Sequence, residues 1–184
     1  MSNLPPRIIT VHAAATFARM DIGVRDIDQW HRARGWNGVG YHYVIRRDGT
    51  VEQGRPEHVV GAHVGGHNTR NLGICMAGGL ADDGKTPQDN FTQAQYQTLN
   101  TLLDELLSRY PDAKIMGHNE FSNHRSRGCP CFDISTYRGW LTRARHALYR
   151  PSDWASYDWK QGLDRDWNEV NLYKEMPVVH TGEE

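Results

Sequence analysis

The stretch Arg7-Ile8-Ile9-Thr10-Val11-His12 decides the fold, because it reads as a buried β-strand that ends in a histidine. A second apolar run, Ala113-Lys114-Ile115-Met116-Gly117-His118, has the same form. Cys129 follows in the segment Arg127-Gly128-Cys129-Pro130. Two imidazoles and one thiolate are a three-ligand set for Zn²⁺, and they leave the fourth tetrahedral position open for water, as catalytic zinc sites do. If the three side chains converge, the sequence predicts a hydrolase with one zinc ion per chain.

Position, rather than residue type, distinguishes these ligands. The chain has ten histidines, and an isolated histidine is more often a surface or hydrogen-bonded residue than a ligand. His12 and His118, however, both end predicted strands, at the edge where α/β sheets place their sites. A free cysteine is usually a buried apolar residue, but Cys129 lies in a glycine- and proline-flanked turn. Cys131 competes for the same role, and it could instead be an inert thiol or a neighbour of the site.

Strands and helices alternate along the chain, which predicts an α/β (α+β) fold: one domain with a central mixed β-sheet flanked by helices. The predicted strands are 7–12, 41–45, 50–52, 72–77 and 113–118, and the predicted helices are 23–34, 93–109 and 135–149. Residues 41–52 form a hairpin through Asp48-Gly49. We expect residues 1–150 to form the domain. Residues 151–184 have no clean period and no second core, and we expect them to be an extension that packs on the domain or trails from it.

Composition excludes several classes of protein. The 184 residues carry 23% charged side chains and a net charge of −1, so no broad basic field attracts nucleic acid or an anionic membrane. No apolar run is long enough to cross a membrane, and the N-terminus lacks a signal peptide, so we expect a protein that is cytoplasmic when made. Three cysteines do not make a disulfide framework.

The blocks of sequence together resemble a known family. The chain is similar to the phage-encoded N-acetylmuramoyl-L-alanine amidases, the small zinc amidases that are relatives of the peptidoglycan recognition proteins. The resemblance runs from Arg7 to Leu148, and many blocks in the right order carry it. These blocks are Val11-His12-Ala13-Ala14-Ala15-Thr16, Asp28-Gln29-Trp30-His31, Val39-Gly40-Tyr41-His42-Tyr43, Arg47-Asp48-Gly49-Thr50-Val51-Glu52, Gly61-Ala62-His63, Leu72-Gly73-Ile74-Cys75, Asn90-Phe91-Thr92, Gly117-His118-Asn119-Glu120 and Cys129-Pro130.

The resemblance implies roles for individual residues. His12, His118 and Cys129 match the family's zinc ligands, and Tyr41 matches its catalytic tyrosine. Arg127 lies where close relatives carry a catalytic lysine. Arg127 departs from the family pattern, because arginine has a planar guanidinium group and lysine a compact ammonium group. We expect Arg127 to serve the same electrostatic role.

Three further positions have weaker support. Strict strand alternation puts Tyr41 and Tyr43 on one face and His42 on the other, which leaves Tyr41 either a core aromatic or a site residue. His63 matches a family histidine near the substrate groove, which implies a substrate-binding role. Cys75 stands where cytoplasmic recycling amidases have a glutamate, so we expect catalysis to depend on Tyr41 and Arg127 instead. A water or Tyr41 relays the proton to the leaving amine.

The implied reaction is hydrolysis of the amide between N-acetylmuramic acid and L-alanine in peptidoglycan, by a phage endolysin that acts on the host cell wall after its release. Two other functions stay open: a module that binds peptidoglycan without cutting it, and a cysteine peptidase that uses Cys129 or Cys131. Retention of all three ligands and of Tyr41 favours the enzyme. The resemblance also suggests a contact with phage RNA polymerase, on a surface that the sequence does not identify.

Overall fold

The computed structural model describes residues 4–122, 128–135, 137–139 and 141. Its strands are β1 (Ile8–Ala13), β2 (Thr16–Phe17), β3 (Tyr43–Ile45), β4 (Val51–Gln53), β5 (Asn71–Met76), β6 (Gly79–Leu80) and β7 (Lys114–Gly117), and its helices are α1 (Val24–Ala33), α2 (Gln93–Arg109) and a 3₁₀ turn (His118–Glu120). Within these described stretches, no helix combines the length and the apolar character needed to cross a membrane. The predicted extension, 151–184, lies outside the described residues.

Five strands form one mixed sheet in the order β4-β3-β5-β1-β7. Strands β3, β5, β1 and β7 run parallel, while β4 pairs antiparallel with β3. The hairpin predicted from Asp48-Gly49 is therefore confirmed, and so is the mixed sheet. Because β1 lies between β5 and β7, its C-terminal end meets the C-terminal ends of both neighbours at one edge of the sheet.

Each face of the sheet has its own core. One core holds Ile9 and Val11 of β1 and is covered by the apolar side of α2. The other holds Cys75 of β5 and Ile27 of α1. Since strand side chains alternate, His12 lies on the face opposite to Val11, which is the α1 side of the sheet. The two-sided burial explains why β5 is buried at every position.

Helix α2 begins as the sequence predicts. The Thr92 hydroxyl accepts a hydrogen bond from the Gln95 backbone N–H, and the Gln95 side chain accepts one from the Thr92 N–H. This reciprocal pair satisfies two of the N–H groups left open at a helix start. The predicted last helix is described only in part: residues 134–135, 137–139 and 141 have helical backbone.

The prediction that Tyr41 and Tyr43 share one face of a strand is wrong. Tyr43 packs against the core on the α2 side, whereas Tyr41 packs against the core on the α1 side. Strand β3 begins only at Tyr43, so the alternation does not extend back to Tyr41. The error matters for the site, because the irregular backbone before β3 places the Tyr41 ring on the same side of the sheet as His12.

Candidate metal centre

Strands β1 and β7 bring the predicted ligands together from distant parts of the chain. His12 is the penultimate residue of β1, and His118 directly follows β7, which is the parallel neighbour of β1. The Asn119 backbone N–H donates a 3.0 Å hydrogen bond to the Cys129 carbonyl, which ties the turn at His118 to the loop at Cys129. The convergence expected at the C-terminal edge of the sheet is therefore present.

The three side chains have the spacing of metal ligands. One ligand atom from each of His12, His118 and Cys129 lies within 4.8 Å of the others. The Nδ1 atom of His12 is 3.8 Å from the Sγ atom of Cys129. A tetrahedral zinc ion would separate a nitrogen and a sulfur ligand by about 3.6 Å. Both histidines are buried, with exposures of 1% and 8%, so their donor atoms are shielded from bulk water.

Cys129 and Cys131 are in different chemical environments. The backbone N–H of Ala13 donates a 3.1 Å hydrogen bond to Sγ of Cys129, which favours a thiolate there. The thiol of Cys131 donates instead to the Gly79 carbonyl at 3.2 Å. Burial raises the pKa of Cys131 to about 11, so it stays protonated at neutral pH. Of the two cysteines that competed for the ligand role, Cys129 alone belongs to the cluster.

An ion pair supports the turn that carries His118. One carboxylate oxygen of Glu120 accepts a 2.9 Å hydrogen bond from the Gly117 N–H, which closes the turn. The Arg138 guanidinium bonds both oxygens of that carboxylate, at 2.9 and 3.0 Å, and also donates to the Ile115 carbonyl of β7. Glu120 and Arg138 therefore fix His118 relative to its strand.

His63 is buried against His12. Its Nδ1 atom lies 3.0 Å from Nε2 of His12, and its Nε2 atom lies 3.1 Å from the Asn71 carbonyl. The two imidazole rings meet edge to face, with centroids 5.1 Å apart. Burial is the main reason that the pKa of His63 falls to about 3, so the ring is neutral at physiological pH.

Tyr41 completes the wall of the site. Its ring lies 5.1 Å from the His12 ring and 5.7 Å from the His31 ring, measured between centroids. Burial is the main reason that the pKa of Tyr41 lies well above its ordinary value, and the nearby thiols of Cys75 and Cys129 raise it further. Cys75 is the partner of His12 in the β1–β5 register. The hydroxyl therefore keeps its proton and is available as a donor.

The structure brings together five of the six predicted site residues. His12, His118, Cys129, Tyr41 and His63 lie together, as the resemblance implied, while Arg127 falls within residues 123–127, outside the described part of the chain. Three supporting residues were not singled out from the sequence: His31, Glu120 and Arg138. His31 and Glu120 do stand inside blocks that carry the resemblance, which is the signal that could have found them.

Comparison with known proteins agrees with this geometry. Residues 2–132 match the family model for N-acetylmuramoyl-L-alanine amidase, called Amidase_2. The chain is 48% identical to the endolysin of Enterobacteria phage K11 over 127 residues. This alignment covers 69% of this chain and 82% of that endolysin. The region matched by the family model, residues 2–132, contains β1, β7 and all three members of the ligand cluster.

Solved structures show the same fold. The N-acetylmuramoyl-L-alanine amidase LysC from Clostridium intestinale superposes with a TM-score of 0.62 and 31% identity, covering 76% of this chain and 87% of LysC. Drosophila PGRP-LB superposes with a TM-score of 0.56 and 25% identity, covering 68% of this chain and 75% of that one. With its fold, its ligand cluster and its sequence all in agreement, the chain belongs to the N-acetylmuramoyl-L-alanine amidase family and is a homologue of phage endolysins.

Proposed function

We propose that this amidase is a zinc-dependent endolysin that holds one Zn²⁺ through His12, His118 and Cys129. Its substrate is peptidoglycan or a soluble muropeptide, in which it hydrolyses the amide between N-acetylmuramic acid and L-alanine. The observation that carries the proposal is the convergence of three ligand atoms within 4.8 Å at the C-terminal edge of the sheet. Family membership supplies the reaction.

The donor set fits zinc better than it fits calcium or magnesium. Two imidazoles and one thiolate are the nitrogen and sulfur ligands that zinc accepts, whereas calcium and magnesium require oxygen donors. Three protein ligands leave a fourth position for water or substrate. A zinc ion bound there supplies Lewis acidity, which activates water and polarises the scissile carbonyl.

Tyr41 and Arg127 are the proposed catalytic side chains. The Tyr41 hydroxyl is protonated and next to His12, so it is placed to donate a hydrogen bond to the oxyanion that develops on the scissile carbonyl. We assign Arg127 the same electrostatic task from its place in the sequence, two residues before Cys129, because its guanidinium is cationic.

The biological setting follows from homology. Among the relatives named above, the one with the highest identity is a phage endolysin, which supports a role in host-cell lysis after release from the cytoplasm. A function limited to binding peptidoglycan is less well supported, because the ligand cluster and Tyr41 are both present. Contact with phage RNA polymerase stays a prediction, for which the described surface gives no specific support.

The proposal is tested by measuring release of stem peptide from purified peptidoglycan, with bound metal quantified on the same sample. Wild type is compared with Cys129→Ala and Cys131→Ala, each with and without a chelator. We expect one zinc per chain and peptide release in wild type and Cys131→Ala, and neither in Cys129→Ala or after chelation. Zinc without cleavage would instead indicate a recognition protein, and metal-free, thiol-dependent cleavage would indicate a cysteine peptidase.

A further inference from the structure

We infer that His63 is a positioning residue for the metal centre: it holds His12 in the one tautomer and ring orientation that directs the Nδ1 lone pair of His12 at the metal. This inference rests on the proposed zinc site. It goes beyond that site because it assigns a function to a buried histidine that is not itself a ligand.

The hydrogen bonds of His63 determine where its proton lies. Its Nε2 atom is 3.1 Å from the Asn71 carbonyl oxygen, which can only accept. Nε2 must therefore carry the hydrogen. A neutral imidazole has a single N–H, so Nδ1 of His63 is an acceptor.

The proton of His12 is then determined in turn. Nδ1 of His63 lies 3.0 Å from Nε2 of His12, and since the His63 atom accepts, the His12 atom donates. Neutral His12 then carries no hydrogen on Nδ1, so this nitrogen can donate its lone pair to a metal. That atom is the one that lies 3.8 Å from Sγ of Cys129. The hydrogen bonds therefore select, among the two nitrogens of His12, the one that faces the other ligands.

The position of His63 is itself fixed by the surrounding backbone. A Cβ atom added at Gly61 or Gly73 would lie 2.5 or 2.7 Å from the His63 ring, so both positions must be free of a side chain for the ring to fit. The Asn68 side chain accepts hydrogen bonds of 2.8 Å from the backbone N–H groups of His63 and Val64. The ring is thus held in a slot with 8% of its surface exposed.

The acceptor of the His63 proton is also held in place. The Thr10 hydroxyl donates to the Asn71 side chain at 2.8 Å, and the Asn71 amide donates to the His67 carbonyl at 2.8 Å. Thr10 belongs to β1, the strand that carries His12. The chain of hydrogen bonds from Asn71 through His63 to His12 therefore joins β5 to its neighbour β1.

Partners of this kind raise the basicity of a metal-bound imidazole and fix its ring, and their loss typically costs 10- to 100-fold in metal affinity. The substrate-binding role that the resemblance implied for His63 stays a prediction. Both ring nitrogens of His63 already have protein partners, however, so neither is available for a direct polar contact with substrate.

The inference is tested by titrating zinc into the metal-free protein in competition with a chromophoric chelator. We expect His63→Leu to weaken zinc binding by about 10- to 100-fold. His63→Asn, which keeps an amide oxygen near the position of Nδ1, should recover most of that loss. His42→Leu is the matched control, because His42 is also buried and contacts His63, but its ring nitrogens bond Gly73 and Val59. Unchanged affinity in His63→Leu, or an equal loss in His42→Leu, would overturn the inference.

A second measurement needs no mutation. Two-bond ¹H–¹⁵N correlation spectra of the wild-type imidazoles report the tautomers directly, in both the metal-free and the zinc-loaded protein. We expect an Nε2–H tautomer for both His63 and His12, and a shift of Nδ1 of His12 on zinc addition. An Nδ1–H tautomer of His63 would disprove this chain of hydrogen bonds. Failure of the wild type to bind zinc would contradict the proposed function instead, so the two failures are distinguishable.

Discussion

The backbone N–H of Ala13 donates a hydrogen bond of 3.1 Å to Sγ of Cys129. One strand thus contributes both a proposed imidazole ligand, His12, and a hydrogen-bond donor that favours negative charge on the proposed thiolate ligand. The same peptide segment therefore organises two of the three proposed ligands, although Cys129 lies 117 residues away from His12 in sequence.

Thiol reactivity should depend on metal. We expect an alkylating reagent to modify Cys129 in the metal-free protein, and bound zinc to slow that reaction by at least ~10-fold, because the thiolate is the reactive species and a ligand thiolate is not free. Mass spectrometry of peptides measures the site and the rate. Cys131→Ser should behave as wild type, since its thiol is protonated at neutral pH. Equal rates with and without zinc would remove Cys129 from the ligand set.

Tyr41→Phe should lower kcat without loss of metal. Phenylalanine keeps the ring that packs on His12 and removes only the hydroxyl. Loss of one oxyanion donor typically lowers kcat by about 10²–10³-fold. Tyr43→Phe is the control, because its hydroxyl bonds Glu57 and lies on the other face of the sheet. Steady-state kinetics with zinc quantified per chain checks both variants, and equal kcat values in the two would contradict the assignment.

Protonation of Glu57 should lower the free energy of unfolding at acid pH. Burial works to raise the pKa of Glu57, but hydrogen bonds from Arg109, Tyr110 and Tyr43 lower it below its ordinary value. Because the pKa is lower in the folded state, ionised Glu57 stabilises the folded protein. This stabilisation is complete at pH values above the unfolded-state pKa of about 4.3, and it is lost as the pH falls through the folded-state pKa. Glu57→Gln should therefore cost about 1–3 kcal/mol at pH 7 and much less at acid pH. Urea unfolding at both pH values measures this, and a cost independent of pH would contradict it.

Arg138→Met should weaken both folding and zinc binding. It breaks the two hydrogen bonds to Glu120 that support the turn at His118, at a cost of about 1–3 kcal/mol. Arg109→Met is a matched control, because it breaks a similar two-bond pair with Glu57. The control should lower the free energy of unfolding and leave zinc affinity unchanged. If both variants bind zinc as wild type does, Glu120 and Arg138 do not position the ligand.

Gly73→Ala should reproduce part of the His63 phenotype. The added Cβ would lie 2.7 Å from the rigid His63 ring, which cannot bend aside. We expect weaker zinc binding in the competition titration. Gly23→Ala is the control, since its nearest atoms belong to the flexible end of Glu52. Wild-type zinc affinity in Gly73→Ala would show that the slot tolerates movement of His63.

The sequence predicts the framework well because its signals are local. The apolar runs before His12 and His118 identify β1 and β7, and the capping pair of Thr92 and Gln95 identifies the start of α2. Strands β2 and β6 have two residues each, too short to leave a periodic pattern, and they were not predicted. Pairing with each other, rather than their own sequence, makes them strands.

The site is predictable only in part. The proposed ligand set follows from residue type, from the position of His12 and His118 at strand ends and of Cys129 in a turn, and from the family resemblance. The hydrogen bond between His12 and His63 does not, because it depends on the empty space that Gly61 and Gly73 leave. The prediction that Tyr41 and Tyr43 share one face was wrong for a similar reason: the exact start of β3 decides it.

The separation of the ligands along the chain has a consequence for the lifetime of the protein. A metal held by His12 and Cys129 is a removable cross-link that joins the first strand to a loop 117 residues later. Binding that requires the folded chain adds about 1.4 kcal/mol of stability for each tenfold excess of free metal over Kd. Resistance to proteolysis should then follow the zinc supply of its surroundings, so that a zinc-depleted compartment shortens the time over which the enzyme stays intact.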